Sequence, residues 1–246
     1  MQLGGNRFFL AFSPEVNQEA ELPEEEAWHL IKVLRKKQGD KIHLVDGRGK
    51  EYLGEIRGIK KSGRRIEVKV LICKVLREEA PSPFKVKVLM PLLKGDKKDF
   101  LIEKLTELGA DVILPYFSRF TEAKPKENLM ERFQKKAISA IKQCGRLWLP
   151  EIENPQELTK LLEKLKKEKG LFLWASEKGN QEIPFQAQNI VLISGPEGGF
   201  SPEEEALLKE KFIPIRLSPY ILRAETACIS LMSLISHHVL SKNLAK

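Results

Sequence analysis

Cysteine is scarce. Cys73, Cys144 and Cys228 are the only three in 246 residues, widely spaced and without a Cys-x-x-Cys pair. That excludes a disulfide framework and a cysteine-rich zinc site, and leaves reduced, partly buried thiols. His29 and His43 have no metal-ligand spacing and read as packing or surface residues, so no metal is expected. No apolar run approaches the roughly 20 residues of a membrane span, and the amino end has no signal-peptide apolar region. A soluble, cytoplasmic protein is expected. Neither common phosphate-binding signature is present: there is no G-x-x-x-x-G-K-[ST], and G-P-E-G-G-F at 195–200 does not fit G-x-G-x-x-G.

What is abundant is charge, unevenly placed. The net charge is +8, yet from Ala27 to Arg77 there are 15 Lys or Arg against 5 Asp or Glu, while the remainder is slightly acidic. A localised basic field steers nucleic acid and adds salt-sensitive phosphate binding; a solvated basic face is the plainer alternative. Within this stretch Lys41-IHLVDG, Glu51-YLGEIRGI and Arg65-IEVKVLICKVL alternate as short strands, with turns at Asp46-Gly47 and Ser62-Gly63. A small β-barrel is the simplest packing. Arg7, Arg35, Lys36 and Lys37 are its leading RNA contacts, with Arg48 and Lys50 less directly placed. Glu78–Phe84, with two prolines, reads as a linker. Two domains are expected, 1–77 and 78–246.

The second domain alternates elements. Lys85-VKVLMPLL predicts a strand, Asp99 to Leu108 a helix that stops at Gly109, and Val112-ILPYF a strand. Glu157 to Lys169 predicts a lysine-faced helix. This alternation implies a parallel sheet flanked by helices, an α/β architecture. Ile190–Ile193 form a short strand that runs into Gly195, Gly198 and Gly199, where backbone can approach a ligand closely. Ser201, Pro202 and Glu204 then start a helix with a capping box. Glu197 in the loop and Glu203, Glu204 and Glu205 in the first turn would repel a pyrophosphate and suit a neutral or cationic ligand. Further on, Ile213 and Ile215 begin a strand ending at Leu217-Ser-Pro, and Ile221-LRAETA opens an apolar helix whose Ile229, Leu231, Met232, Leu234 and Ile235 read as core or subunit interface. Arg223 and Glu225 stand at its start, where a salt bridge or cap is an equally good reading.

The combination of I-S-G-P-E-G-G-F, L-S-P-Y-I-L-R-A-E-T-A and the upstream K-G-D-K-K-D-F-L-I-E-K-L-T-E-L-G resembles the RsmE-like branch of the SPOUT methyltransferases. H-L-I-K-V-L-R-K-K-Q-G-D followed by V-D-G-R-G extends the likeness to that family's small PUA-like RNA-binding barrel, so it covers nearly the whole chain. The resemblance implies methylation of N3 of a uridine in 16S ribosomal RNA, on the 30S subunit, with S-adenosylmethionine as cofactor. It also implies a C-terminal trefoil knot, which physical priors alone would not suggest, and a homodimer paired across it.

By motif position, Leu192, Gly195, Glu197, Gly199, Leu217, Ile221, Leu222 and Ala227 would line the cofactor pocket. Lys94 would open a strand-to-helix turn, and Lys104, Glu107 and Gly109 fall on K-x-x-E-L-G, where an i, i+3 ion pair explains the first two almost as well. Trp174-ASEKG resembles the strand and turn before the glycine loop. Gln143 and Arg146, in Q-C-G-R at a helix end, would contact the target nucleotide, with Cys144 left to packing. Arg223 would stabilise the uracil anion, and Glu225 would orient it or accept the proton. Two alternatives stay open: another SPOUT RNA methyltransferase acting on a different base or on ribose 2′-oxygen, and a noncatalytic RNA-binding ribosome-assembly protein.

Overall fold

In a computed structural model of the chain, residues 6–63, 65–123, 127–180, 182–185 and 187–244 are described. They divide into two units, Met1–Pro81 with Ile138–Leu149, and Ser82–Ala137 with Pro150–Lys246.

The first unit holds β1 (Arg7–Phe9), β2 (Glu19–Glu21), α1 (Glu24–Trp28), β3 (Lys41–Val45), β4 (Lys50–Ser62) and β5 (Arg65–Glu78). The strands form one sheet in the order β1-β3-β4-β5-β2, parallel between β1 and β3 and antiparallel elsewhere. Alternation sends Ile42, Leu44, Tyr52, Ile56, Val68, Val70 and Ile72 to one interior. That interior also takes Phe8 from one edge strand, Ala20 from the other, and Ala27, Leu30 and Ile31 from the helical segment. Both edges thus feed one core, which rolls the sheet although no ladder joins β1 to β2 among the described residues. Bulges at Glu51/Tyr52, Leu53/Gly54 and Ile56/Gly58 bend the long β4–β5 pair. Gly54 is needed there, because a Cβ would lie 2.5 Å from Val70 Cγ1. Asp46 organises the predicted turn: its buried carboxylate accepts from the Arg48 and Lys50 amides and from the Ser13 and Tyr52 hydroxyls.

The second unit follows as β6 (Lys85–Pro91), α2 (Lys97–Glu107), β7 (Val112–Phe117), α3 (Leu129–Cys144), β8 (Glu151–Ile152), β9 (Gln156–Glu157), α4 (Leu158–Leu165), β10 (Leu171–Asn180), β11 (Asn189–Ser194), α5 (Pro202–Lys209), β12 (Ile213–Ile215) and α6 (Ala224–Leu244). The last turns of α3 count with the first unit. The sheet order is β12-β10-β11-β6-β7-β8, with β9 also on β7, and every ladder is parallel. Such strands are covered on both faces and read as continuous apolar runs. Val191 and Ile193 pack into the cluster with α4 and α5, while α6 lies against α2, β11, β6 and β10. On α6, Cys228, Leu231, Met232 and Ile235 are buried at helical spacing, whereas Leu234 stays exposed.

Several expected boundaries shift: β6 stops at Pro91 and not Leu93, and β12 at Ile215, short of Leu217-Ser-Pro. α4 ends at Leu165, its last buried residue, because Lys166–Lys169 has no apolar side chain to hold another turn. α6 begins at Ala224 instead of Ile221, which is 79% exposed and gains nothing from helix packing. α2 begins two residues early, at Lys97.

Arg7 departs from its expected role. It is 7% exposed, and its Nε donates to Glu51 Oε1 at 3.1 Å while Nη1 donates to the Lys142 carbonyl. Its guanidinium is buried within the fold of this unit, where an exposed cation was expected. Glu51 also meets His43 Nδ1 at 2.9 Å and Arg77 Nη1 at 3.2 Å, and Arg77 reaches the Gly145 carbonyl. Burial alone would raise the Glu51 carboxyl, but the His43 hydrogen bond and the Arg7 and Arg77 cations outweigh it and leave the group below its ordinary 4.5. A carboxyl lowered on folding contributes stability above its unfolded value and loses it as pH falls through the folded one. Wild-type stability should therefore drop below pH 4.5, and Glu51→Gln should flatten that limb. The same variant, leaving Arg7 buried and unpaired, should cost about 3–5 kcal/mol at pH 7 in denaturant unfolding.

Candidate active site

Because the sheet of the second unit is parallel, the loops after β6, β7, β11 and β12 leave from one edge, where ligands of such sheets bind. The glycine loop after β11 is shaped by contact with the turn after β7. A Cβ on Gly198 would lie 2.8 Å from Phe120 Cβ, so only glycine fits. Gly199 takes φ 70° and donates its N–H to the Pro196 carbonyl at 3.0 Å. The predicted capping box closes the loop: the Ser201 amide donates to Glu204 Oε2 at 2.8 Å, and the Glu204 amide donates to Ser201 Oγ at 3.2 Å. The other Glu204 oxygen accepts from the Arg119 amide at 2.9 Å. This buried carboxylate therefore ties two loops together instead of facing a ligand; Glu197 and Glu203 remain exposed. Beneath the loop, Tyr116 Oη donates to the Ser194 carbonyl, and burial holds the phenol protonated far above its ordinary range. The Ser194 hydroxyl is buried beside the Cys228 thiol of α6.

The loop after β12 is open. Arg216 folds back on the Ser218 and Pro219 carbonyls, and Ser218 Oγ accepts from the Tyr220 amide. Among the described residues the N–H groups of Leu217, Ile221 and Leu222 have no backbone partner, which leaves donors for a ligand. The Arg223 carbonyl accepts from the Ala227 amide at 2.8 Å, so Arg223 stands at the helix cap. Its side chain is exposed, with no ion-pair partner among the described residues.

Arg223 and Glu225 are not bonded to each other. Glu225 instead pairs at 3.2 Å with Lys97, the first residue of α2, and Lys97 Nζ also lies 3.8 Å from Glu197 of the glycine loop. One ammonium thus links the glycine loop to the first turn of α6. Lys97 lies within K-G-D-K-K-D-F, where its spacing alone marks no role. The available signal was its position, since a lysine in the first helical turn opposes the helix dipole and needs compensating carboxylates.

Among the other expected site residues, Gly195 and Glu197 lie on the glycine loop, and Leu217, Ile221 and Leu222 on the loop after β12. Ala227 is half-buried on α6, and Leu192 is a fully buried core residue of β11. Lys94 is exposed and pairs with Glu122. Lys104 pairs with Glu103 and Glu107, the plain structural reading. In the first unit Arg35, Lys37 and Gln143 are exposed, Lys36 and Arg146 half-buried. Arg48 bonds the Ala11 carbonyl and Lys50 pairs with Glu78. A cavity of about 270 Å³, lined by Phe12, Leu22, Arg65 and Glu67 among others, belongs to the first unit and not to these loops.

Comparison with known proteins places both units. The family profile described as an RNA methyltransferase domain matches residues 80–236, and that of an RNA methyltransferase PUA domain matches residues 22–71. The chain is 30% identical to the ribosomal RNA small subunit methyltransferase E of Buchnera aphidicola from Schizaphis graminum, over 91% of this chain and 92% of that one. It is 31% identical to the Rickettsia conorii protein of the same name, over 92% of each. Among solved structures, a methyltransferase of Legionella pneumophila in complex with bound SAM superposes with a TM-score of 0.87 at 30% identity, covering 96% of this chain and 98% of that one. The Neisseria gonorrhoeae ribosomal RNA small subunit methyltransferase E, bound to S-adenosyl methionine, gives 0.81 at 27% identity, with coverage of 96% and 98%.

Gly198→Ala should force Phe120 and the glycine loop apart, lowering stability by about 1–3 kcal/mol in thermal unfolding and weakening S-adenosylmethionine binding measured by calorimetry.

Proposed function

We propose that this chain, which belongs to the RNA methyltransferase family shared with the ribosomal RNA small subunit methyltransferases E, methylates small-subunit ribosomal RNA with S-adenosylmethionine. Its target is N3 of a uridine in 16S RNA, carried on the 30S subunit. The observation that supports this most is the meeting at one sheet edge of the glycine loop, the open 217–222 segment and Arg223, which has no ion-pair partner among the described residues, with Lys97 joining Glu197 of the loop to Glu225 of α6.

The residues fit the cofactor. Exposed Glu197 and Glu203 suit a cation and not a phosphate, and the amides of Leu217, Ile221 and Leu222, without a backbone partner among the described residues, suit adenine. Gly195 and Gly199 let the backbone come close, and Leu192 and Ala227 stand behind them. When bound, S-adenosylmethionine supplies a methyl group on a sulfonium centre, open to in-line displacement. The protein has two tasks, alignment and removal of the N3 proton. Arg223, with no ion-pair partner among the described residues, lies against the uracil oxygens and stabilises the negative charge left when the proton departs. Glu225 accepts that proton while Lys97 holds its carboxylate in place. Alignment of the reactants supplies about 7–11 kcal/mol in favourable cases. Cys144 needs no covalent role, because deprotonated N3 is itself the nucleophile.

In this reading the first unit holds RNA through Arg35, Lys36 and Lys37, with Lys94, Gln143 and Arg146 completing the contacts to the target strand. Two subunits pair through the apolar surface that leaves Tyr220 and Ile221 about 80% exposed. The C-terminal segment is threaded as a trefoil knot. That reading draws support from β12 lying beyond β10 while α6 returns to pack on β11 and β6. The enzyme works in the cytoplasm, where ribosomes are assembled.

Unmodified 30S subunits and free 16S RNA incubated with labelled S-adenosylmethionine should yield 3-methyluridine on mass spectrometry of the digested nucleosides. Label at another base or at a ribose 2′-oxygen would replace the N3 assignment, and no label would leave only RNA binding. Arg223→Ala should lower kcat about 100- to 1,000-fold with cofactor affinity within a few-fold. Lys97→Met should misplace Glu225 and lower kcat about 10- to 100-fold, with Lys97→Arg retaining most activity.

A further inference from the structure

In the first unit, α1 does not end at Trp28. It continues as a π-helical stretch over His29–Val33, and the chain leaves it through Arg35 at φ 53°. π-Helical residues are well under 1% of those in proteins and gather at functional sites. A non-glycine residue at positive φ is a second uncommon placement at the same point. The inner side of this segment is ordinary: Leu30 and Ile31 are buried, and His29 lies 6.1 Å from the Phe8 ring. The outer side is not. Trp28 is 50% exposed and Val33 is 52% exposed, with exposed Lys32 between them. Among the described residues the indole has no ring partner and its Nε1–H has no acceptor. Exposed Arg35 and Lys37 and half-buried Lys36 follow directly. Glu24, one turn before Trp28, is exposed and gives the surface an acidic end opposite Lys32.

We propose that Trp28 is a stacking platform for one unpaired base of RNA, with Lys32, Arg35, Lys36 and Lys37 holding the phosphates that flank it. An indole face accepts any base, and sequence-tolerant binding to single strands combines such stacking with a basic track. Paired RNA offers no free base face and is bound through its backbone. A protein partner suits the surface less well, since lysine is depleted in protein interfaces while here cations border the only large exposed apolar pair of the segment. The proposal rests on the reading of the first unit as the part that holds RNA.

The test compares full-length wild type, Trp28→Ala and Trp28→Phe in binding a labelled single-stranded oligoribonucleotide and the same sequence as a duplex, across a salt series. Trp28→Ala should weaken the single strand about 5- to 150-fold. The factor should be the same at every salt concentration, because stacking releases no counterions. Duplex affinity should be unchanged, and Trp28→Phe should retain most of the binding. Equal losses for both RNAs, or none, would overturn the platform, as would an altered oligomeric state in sedimentation with RNA affinity intact, which would make Trp28 a protein contact. Methyl transfer to 30S subunits is measured alongside. Intact transfer with no effect of Trp28 on binding rejects the platform alone, whereas a wild type that neither binds RNA nor transfers methyl rejects the underlying function as well.

Discussion

The second unit depends on the parallel pairing of β11 between β10 and β6. Ile190, Val191, Leu192 and Ile193 are all fully buried, two toward each face, so the strand is covered above and below. Once that strand is fixed, the direction of its neighbours follows. The chain must leave β6, β7, β11 and β12 at the same edge, and the glycine loop, the Phe120 turn and the cap of α6 then meet without any of them being a regular element. Loops placed this way can be open to solvent and still hold their geometry, because the rigid part lies beneath them.

Glutamate does different work at each position. Glu204 is buried and spends both oxygens on backbone amides, Glu51 is buried and balances two guanidiniums, and Glu197 and Glu225 share a lysine at the site. The acidic character of the glycine loop, which on sequence alone argued only against a pyrophosphate, therefore has two components. One carboxylate closes the loop; the others set the charge that a ligand meets.

Much of this was legible before any coordinates. The strand Val112–Phe117 lies at its expected bounds, and the Ser201/Glu204 capping box forms as its spacing requires, because both are local patterns of a few residues. The glycines at 195, 198 and 199 marked a site, and the closeness of Phe120 explains the one at 198. What could not be read was pairing over long separations. Arg7 looked like a surface cation because its partner, Glu51, is 44 residues away. Glu225 looked like a partner for Arg223 because the two are only two residues apart, whereas its cation comes from 128 residues upstream. Periodicity carries no information about which charge meets which.

The first unit is discontinuous. Its amino-terminal strands are completed by residues 138–149, whose Lys142 meets Glu26 and whose Gly145 carbonyl accepts from Arg77. During synthesis, the amino-terminal part therefore emerges with these groups unmatched and waits while β6, α2 and β7 are made. Domains ordinarily fold one after another as the chain appears. Here the order is interleaved, so the first unit becomes complete only when more than half of the protein has left the ribosome.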